Sequence, residues 1–170
     1  MDEPGTQLVT HTGFKFQIRP IRRGDAAALQ DFFTHVTPED LRFRFLGSVK
    51  DVSHERLRAM IDVDHRQVES YLAFEHDGGP VIAAGMLAGD AGLKTGEVAI
   101  SIRSDRKNRG VGWEMLRHIT QCAREKGLHA LQSVEDRSNQ SAINLEKEMG
   151  FSSRPYPDDA TLVLLEKTLA

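Results

Sequence analysis

Six consecutive residues, Lys107-Asn108-Arg109-Gly110-Val111-Gly112, combine the side chains and the backbone that an anion needs. Two glycines one residue apart follow two basic side chains, Arg106 adds a third cation, and an apolar pattern of helical spacing begins directly behind them. Backbone N–H groups in the first turn of a helix have no partner within it, and the macrodipole adds roughly half a positive charge there. Glycine lets phosphate oxygens approach such a backbone with no Cβ in the way. Two nucleotide motifs are excluded. Gly110-Val111-Gly112-Trp113 lacks the Gly-Lys-Ser/Thr ending of a P-loop, and Met115 stands where a dinucleotide fingerprint has its third glycine. A different phosphate-bearing ligand is expected.

The remaining chemically active residue types point elsewhere. Cys122 is the single cysteine, which excludes an internal disulfide and a multi-cysteine zinc site. It falls on the apolar stripe of the helix that follows the glycine turn, and reads as a small buried hydrophobe. Seven histidines are scattered, with no pair three or four residues apart on one helix, so no metal site is expected.

The elements that must position the turn follow from periodicity. Phe14 to Arg19 alternates apolar and polar residues as a half-buried strand does, and Pro20 ends it. Gly24-Asp25 offers an N-cap ahead of Ala26, Leu29, Phe32 and Phe33 at helical spacing. Thr37-Pro38-Glu39-Asp40 and Ser53-His54-Glu55-Arg56 open two further helices. Val68 to Glu75 and Val81 to Ala88 read as a hairpin turning at Asp77-Gly78-Gly79-Pro80. Gly96 to Arg103 is a strand with Val98, Ile100 and Ile102 on one face and Glu97, Ala99, Ser101 and Arg103 on the other. A helix from Gly110 to about Lys126 follows, with Gly127 as its stop, then a strand near His129 to Val134, a helix from about Asn139 to Met149 and a strand around Ala160 to Lys167.

With 170 residues, 39% apolar and 28% charged, one compact domain spanning 1–170 is expected. A formal charge of -3 leaves no basic surplus for nucleic acid. No run of 18 apolar residues speaks for a membrane span, and the acidic start Met1-Asp2-Glu3-Pro4-Gly5 lacks the apolar core of a signal peptide, so a cytoplasmic location is expected.

Ile100-Ser101-Ile102-Arg103, the turn Lys107 to Gly112, and Asn139-Gln140-Ser141-Ala142 through Leu145 to Met149-Gly150-Phe151 together resemble the GNAT superfamily of acyl-CoA-dependent acyltransferases. The turn is similar to that family's Gln/Arg-x-x-Gly-x-Gly/Ala pyrophosphate loop, with Lys107 in the place of Gln or Arg. Ile18 to Asp25 and Leu41-Arg42-Phe43-Arg44-Phe45 extend the resemblance to the bacterial Pat-type protein lysine acetyltransferases. Read from the residues alone, the latter segment is an amphipathic helix with its aromatics toward the core and its arginines solvated. The resemblance implies an α/β (α+β) fold with a mixed, mostly antiparallel central sheet flanked by helices and splayed at the acyl-CoA site.

It also implies roles. The strand through Ile100, Ser101 and Ile102 offers backbone groups to the acyl and pantetheine amides. Lys107, Asn108, Arg109, Gly110, Val111 and Gly112 form the pyrophosphate loop, Asn139 bonds the pantetheine arm, and Lys147 approaches the nucleotide phosphates. A lysine with pKa near 10.4 is neutral in only about one molecule in two thousand at pH 7, so its attack on a thioester needs a base. The Pat-type resemblance puts that role on Glu97. The tyrosine with which the wider family protonates the departing thiolate is replaced by Glu146, and the only tyrosines are Tyr71 and Tyr156. A thiolate with pKa about 8.5 can leave with solvent supplying the proton. The expected activity is acetyl transfer from acetyl-CoA to a primary amine, a protein lysine first. A small-molecule amine acceptor and a non-catalytic acyl-CoA sensor are the alternatives. Edge strands and the exposed face of the early helices offer surfaces for a homodimer.

Overall fold

The computed structural model describes residues 5–47 and 49–169. The acidic start, Met1 to Pro4, lies outside them. Among these residues eight strands form one sheet: β1 (Thr6–Val9), β2 (Lys15–Pro20), β3 (Val68–Phe74), β4 (Val81–Gly89), β5 (Thr95–Ile102), β6 (Ala130–Asp136), β7 (Ser152–Pro155) and β8 (Leu162–Thr168). Their order across the sheet is β1-β2-β3-β4-β5-β6-β8-β7, and every neighbouring pair is antiparallel except β5 with β6. This is the mixed, mostly antiparallel sheet that the resemblance implied.

Three helices, α1 (Ala26–Phe33), α2 (Pro38–Phe45) and α3 (His54–Ile61), cover one face, where Leu29, Phe32, Leu41, Leu57 and Leu72 make a core. On the other face α4 (Val111–Glu125) and α5 (Gln140–Glu148) enclose a second core of Phe16, Met115, Ile119, Leu131 and Leu165. The α4 pattern explains its position. Val111, Met115, Ile119 and Ala123 are fully buried at intervals of four, and burying each of the larger ones contributes about 1.5–3 kcal/mol. Gly127, at φ 83°, ends the helix as Leu128 N–H returns to the Ala123 carbonyl at 3.1 Å.

Helix starts follow their caps. Thr37 Oγ1 accepts from Asp40 N–H at 3.0 Å with Pro38 first in α2, and Ser53 Oγ accepts from Arg56 N–H at 3.2 Å. Asp25 is different. It precedes α1, yet its carboxylate turns back to accept from the Arg19 guanidinium at 2.8 and 2.9 Å and from Arg22 N–H at 2.7 Å, giving α1 no side-chain cap. Burial opposes the charge there, but these bonds hold the carboxyl below its ordinary value. Two short edge strands, β1 and β7, were not expected from the sequence. Each is four residues long and mostly exposed, so neither carries the alternation that marks a half-buried strand.

Candidate active site

The parallel ladder between β5 and β6 is short. It runs from Thr95 opposite Ala130 to Glu97 opposite Gln132 and stops. Beyond it β5 continues along β4 and β6 continues along β8, so the two strands part and leave a slot. The slot opens into a cavity of about 330 Å³, whose walls include Val98 to Ile102, Ser133 to Glu135, Arg44 of α2 and Glu146 of α5.

Strand alternation decides which backbone groups face this slot. In an antiparallel pair the N–H and C=O of one residue point to the same side, and its neighbours point to the other. Arg103 N–H bonds the Ile82 carbonyl at 2.8 Å, so in the same register Ser101 faces Ala84 and its backbone belongs to the β4 ladder. Ile100 and Ile102 therefore turn their N–H and C=O toward the gap. The three residues are thus not equivalent: the backbone of Ser101 is taken by β4, and its Oγ is buried with no hydrogen-bond partner.

The glycine turn lies at the start of α4. Asn108 and Gly110 have φ of 63° and 86°, while Arg109 between them does not have a positive φ. This tight turn leads directly into the first turn of α4, whose N–H groups have no partner within the helix. The glycines themselves have an internal reason. A Cβ on Gly110 would sit 3.0 Å from Thr10 Cβ, and one on Gly112 would sit 3.0 Å from Ile102 Cδ1. Close packing against the chain therefore also disfavours larger residues at both positions. The cations are also engaged. Lys107 Nζ bonds Asp40 at 2.7 Å, tying the turn to α2, and the Arg109 guanidinium lies 5.7 Å from the Phe14 ring centroid. Lys107 and Gly112 line the cavity, whereas Asn108, Arg109, Gly110 and Val111 do not.

Asn139 lines the cavity as the N-cap of α5, its Oδ1 accepting from Ala142 N–H at 3.4 Å and its Nδ2 donating to Glu135 at 3.2 Å. Lys147 is exposed one residue beyond Glu146 and does not line the cavity. Glu97 is exposed at the end of the β5–β6 ladder, on the α1–α3 side of the strand, and the Arg44 charge reaches it. It too lies off the cavity wall.

The structure adds a polar cluster that the sequence reading missed. Glu135 takes a 2.8 Å bond from Ser133 Oγ on one oxygen and the Asn139 bond on the other. Glu146 in turn meets Glu135 and Ser133, and is only 5% exposed. Its Oε2 has no hydrogen-bond partner. Burial first, and the Glu135 charge second, push Glu146 up to about 9, so it carries its proton at neutral pH, while burial also raises Glu135 against the bonds it accepts and the Arg44 charge. Arg44, expected to be solvated, instead lines the slot, where burial lowers its pKa. The signal for Glu146 was present: it falls three residues after Ile143, on the buried stripe of α5. Among the described residues no three His, Cys, Asp or Glu side chains are grouped to hold a metal ion, and no helix is long and apolar enough to cross a membrane.

The model of the acetyltransferase (GNAT) family matches residues 30–151. An acetyltransferase of Pseudomonas aeruginosa is 30% identical over 149 residues, covering 86% of this chain and 80% of its own. The fold is similar to the GNAT domain of PAT from S. lividans, with a TM-score of 0.89 at 24% identity over 99% of this chain and 100% of that one. It is also similar to the ribosomal-protein-S5-alanine acetyltransferase of Vibrio fischeri, with a TM-score of 0.73 at 14% identity over 98% and 97% of the two chains. Both structural likenesses concern the fold alone.

Proposed function

Since the chain belongs to the acetyltransferase (GNAT) family of acyl-CoA-dependent N-acyltransferases, we propose that it moves an acetyl group from acetyl-CoA to the side-chain amine of a protein lysine. The observation that carries this reading is the slot where β5 leaves β6, with the free backbone of Ile100 and Ile102 along one wall and the turn at Asn108 to Gly110 ahead of α4. The turn and the first N–H groups of α4 would hold the pyrophosphate, and Asn139 would meet the pantetheine arm.

The acceptor reading rests on charge. With Glu146 neutral and Asp40 paired with Lys107, the cavity wall carries the carboxylates Glu39 and Glu135 against Arg44. Exposed Glu97 adds a carboxylate at the α1–α3 side, suited to draw in an ammonium group and take its proton directly or through water. Ile18 to Asp25 and Leu41 to Phe45, which resemble segments of the Pat-type protein lysine acetyltransferases, favour a protein acceptor. A cytoplasmic location goes with it.

The test is incubation of the purified protein and acetyl-CoA with lysine-bearing proteins and, separately, with a panel of amine metabolites. Released CoA thiol and acetylated products are followed by mass spectrometry. Acetyl-lysine formation is the expected result. Turnover confined to a metabolite would assign the small-molecule reading, and tight acetyl-CoA binding with no turnover on either set would assign the sensor.

A further inference from the structure

We propose that Glu146 is the acid of the transfer reaction, delivering its carboxyl proton to the coenzyme A sulfur as the C–S bond breaks, with Glu135 as the positioning residue that keeps that proton in place. The proposal rests on the acetyl-transfer reading and supplies the group that reading lacks.

Position comes first. The slot begins where the β5–β6 ladder stops, at Glu97 and Gln132, and Ser133 and Glu135 are the next residues of β6 on the α5 side. Glu146 lies against them on the buried stripe of α5 and forms part of the same wall as Val98 and Ile100. A carboxyl group buried to this degree with one oxygen unpartnered is a cost to the fold unless it stays neutral or meets a ligand. Its surroundings keep it neutral. On β6, Glu135 takes donors from Ser133 and Asn139, which favour its charged form and leave it an acceptor for the Glu146 hydroxyl. From α2, Arg44 places its positive charge on the Glu135 side of the pair, which favours ionising Glu135 and leaving the proton on Glu146. Neighbouring Lys147 and Glu148 are exposed.

The step balances. The neutral amine attacks the thioester carbonyl, its proton passes to Glu97 or water, and the tetrahedral adduct collapses with C–S cleavage. The Glu146 O–H proton goes to sulfur, giving the amide and CoA thiol, and solvent reprotonates the carboxylate.

The experiment combines two readouts on the intact protein. In the first, glutamate-labelled protein with CoA bound is titrated by ¹³C NMR, Glu146 being assigned by its absence in Glu146→Gln. The carboxyl resonance is expected to report the acid form at pH 7 and to titrate on the alkaline side, near pH 9. A carboxylate at pH 7 overturns the proposal whatever the acceptor. In the second, kcat is measured against pH. Glu146→Gln keeps shape and a donor to Glu135, and should lower kcat about 10²-fold while leaving acetyl-CoA affinity unchanged. The wild type should lose activity on the alkaline limb, and the variant should not. Glu135→Gln removes the charge that raises Glu146, so its limb should move to lower pH. Wild-type kcat and limb in Glu146→Gln would refute the role. Absence of turnover in the wild type itself would be a failure of the transfer reading, visible before any variant is compared, and would take this step with it.

Discussion

Glu146→Gln should make the protein more stable, and by an amount that depends on pH. An ordinary glutamate has its pKa at 4.5, and burial with the Glu135 charge raises the folded-state value to about 9. The folded state thus binds more protons than the unfolded state between those two values. Stability from this group is fully present below pH 4.5 and is lost as pH rises toward 9. Each pH unit in that window corresponds to 2.303RT, about 1.4 kcal/mol, so from 4.5 to 7 the loss is about 3 kcal/mol. Glutamine has the shape of the neutral acid, can donate to Glu135 in the same way, and never has to hold a proton. The variant should therefore gain about 3 kcal/mol over the wild type at pH 7 and less than about 1 kcal/mol at pH 5. Urea unfolding at both values, with equal m-values as the check on two-state behaviour, reads the difference. An equal difference at the two pH values would refute the claim that Glu146 holds a proton in the folded state. The same substitution is expected to lower kcat, the exchange of stability for function seen at active sites.

Glu97→Gln should lower the transfer rate by about 10²-fold or more with acetyl-CoA affinity nearly unchanged, measured by steady-state kinetics beside direct binding; an unaltered rate removes Glu97 from the mechanism. Lys107→Ala should change acetyl-CoA affinity less than about threefold by calorimetry, because its ammonium is committed to Asp40 at 2.7 Å and a partly exposed ion pair contributes about 0–1 kcal/mol. Gly110→Ala should destabilise by about 1 kcal/mol or more and weaken acetyl-CoA binding together, since φ of 86° suits glycine and the new Cβ would press on Thr10. Full binding in that variant would separate the turn from the phosphate site.

Local rules reached far into this chain. Thr37 and Ser53 cap the helices they precede, the faces of β5 alternate as its residues do, and the stripe of α4 is read directly from its spacing. Reading broke down where a neighbour distant in sequence decides the outcome. Arg44 was assigned to solvent from its own helix, but the gap between β5 and β6, formed far along the chain, gives it a wall to line. Asp25 was assigned to a cap, but Arg19 on β2 competes for the carboxylate with a bidentate bond. The glycines of the turn have a second reason that the sequence did not show, since a Cβ on Gly110 would meet Thr10 on the loop between β1 and β2, and β1 was itself invisible to periodicity. The Glu135–Glu146 pair depends on β6 and α5 folding back on each other through the Asn139 cap.

Where the β5–β6 ladder ends, the rest of β5 keeps a partner on one side only. Its amides therefore divide into two populations in strict alternation. Ser101 and Arg103, bonded across to β4, are sheltered from solvent deuterium, while Ile100 and Ile102 are protected only when something else occupies the slot. Filling of the site is thus written into hydrogen exchange with a period of two residues on a single strand, legible with no label on the ligand and no turnover.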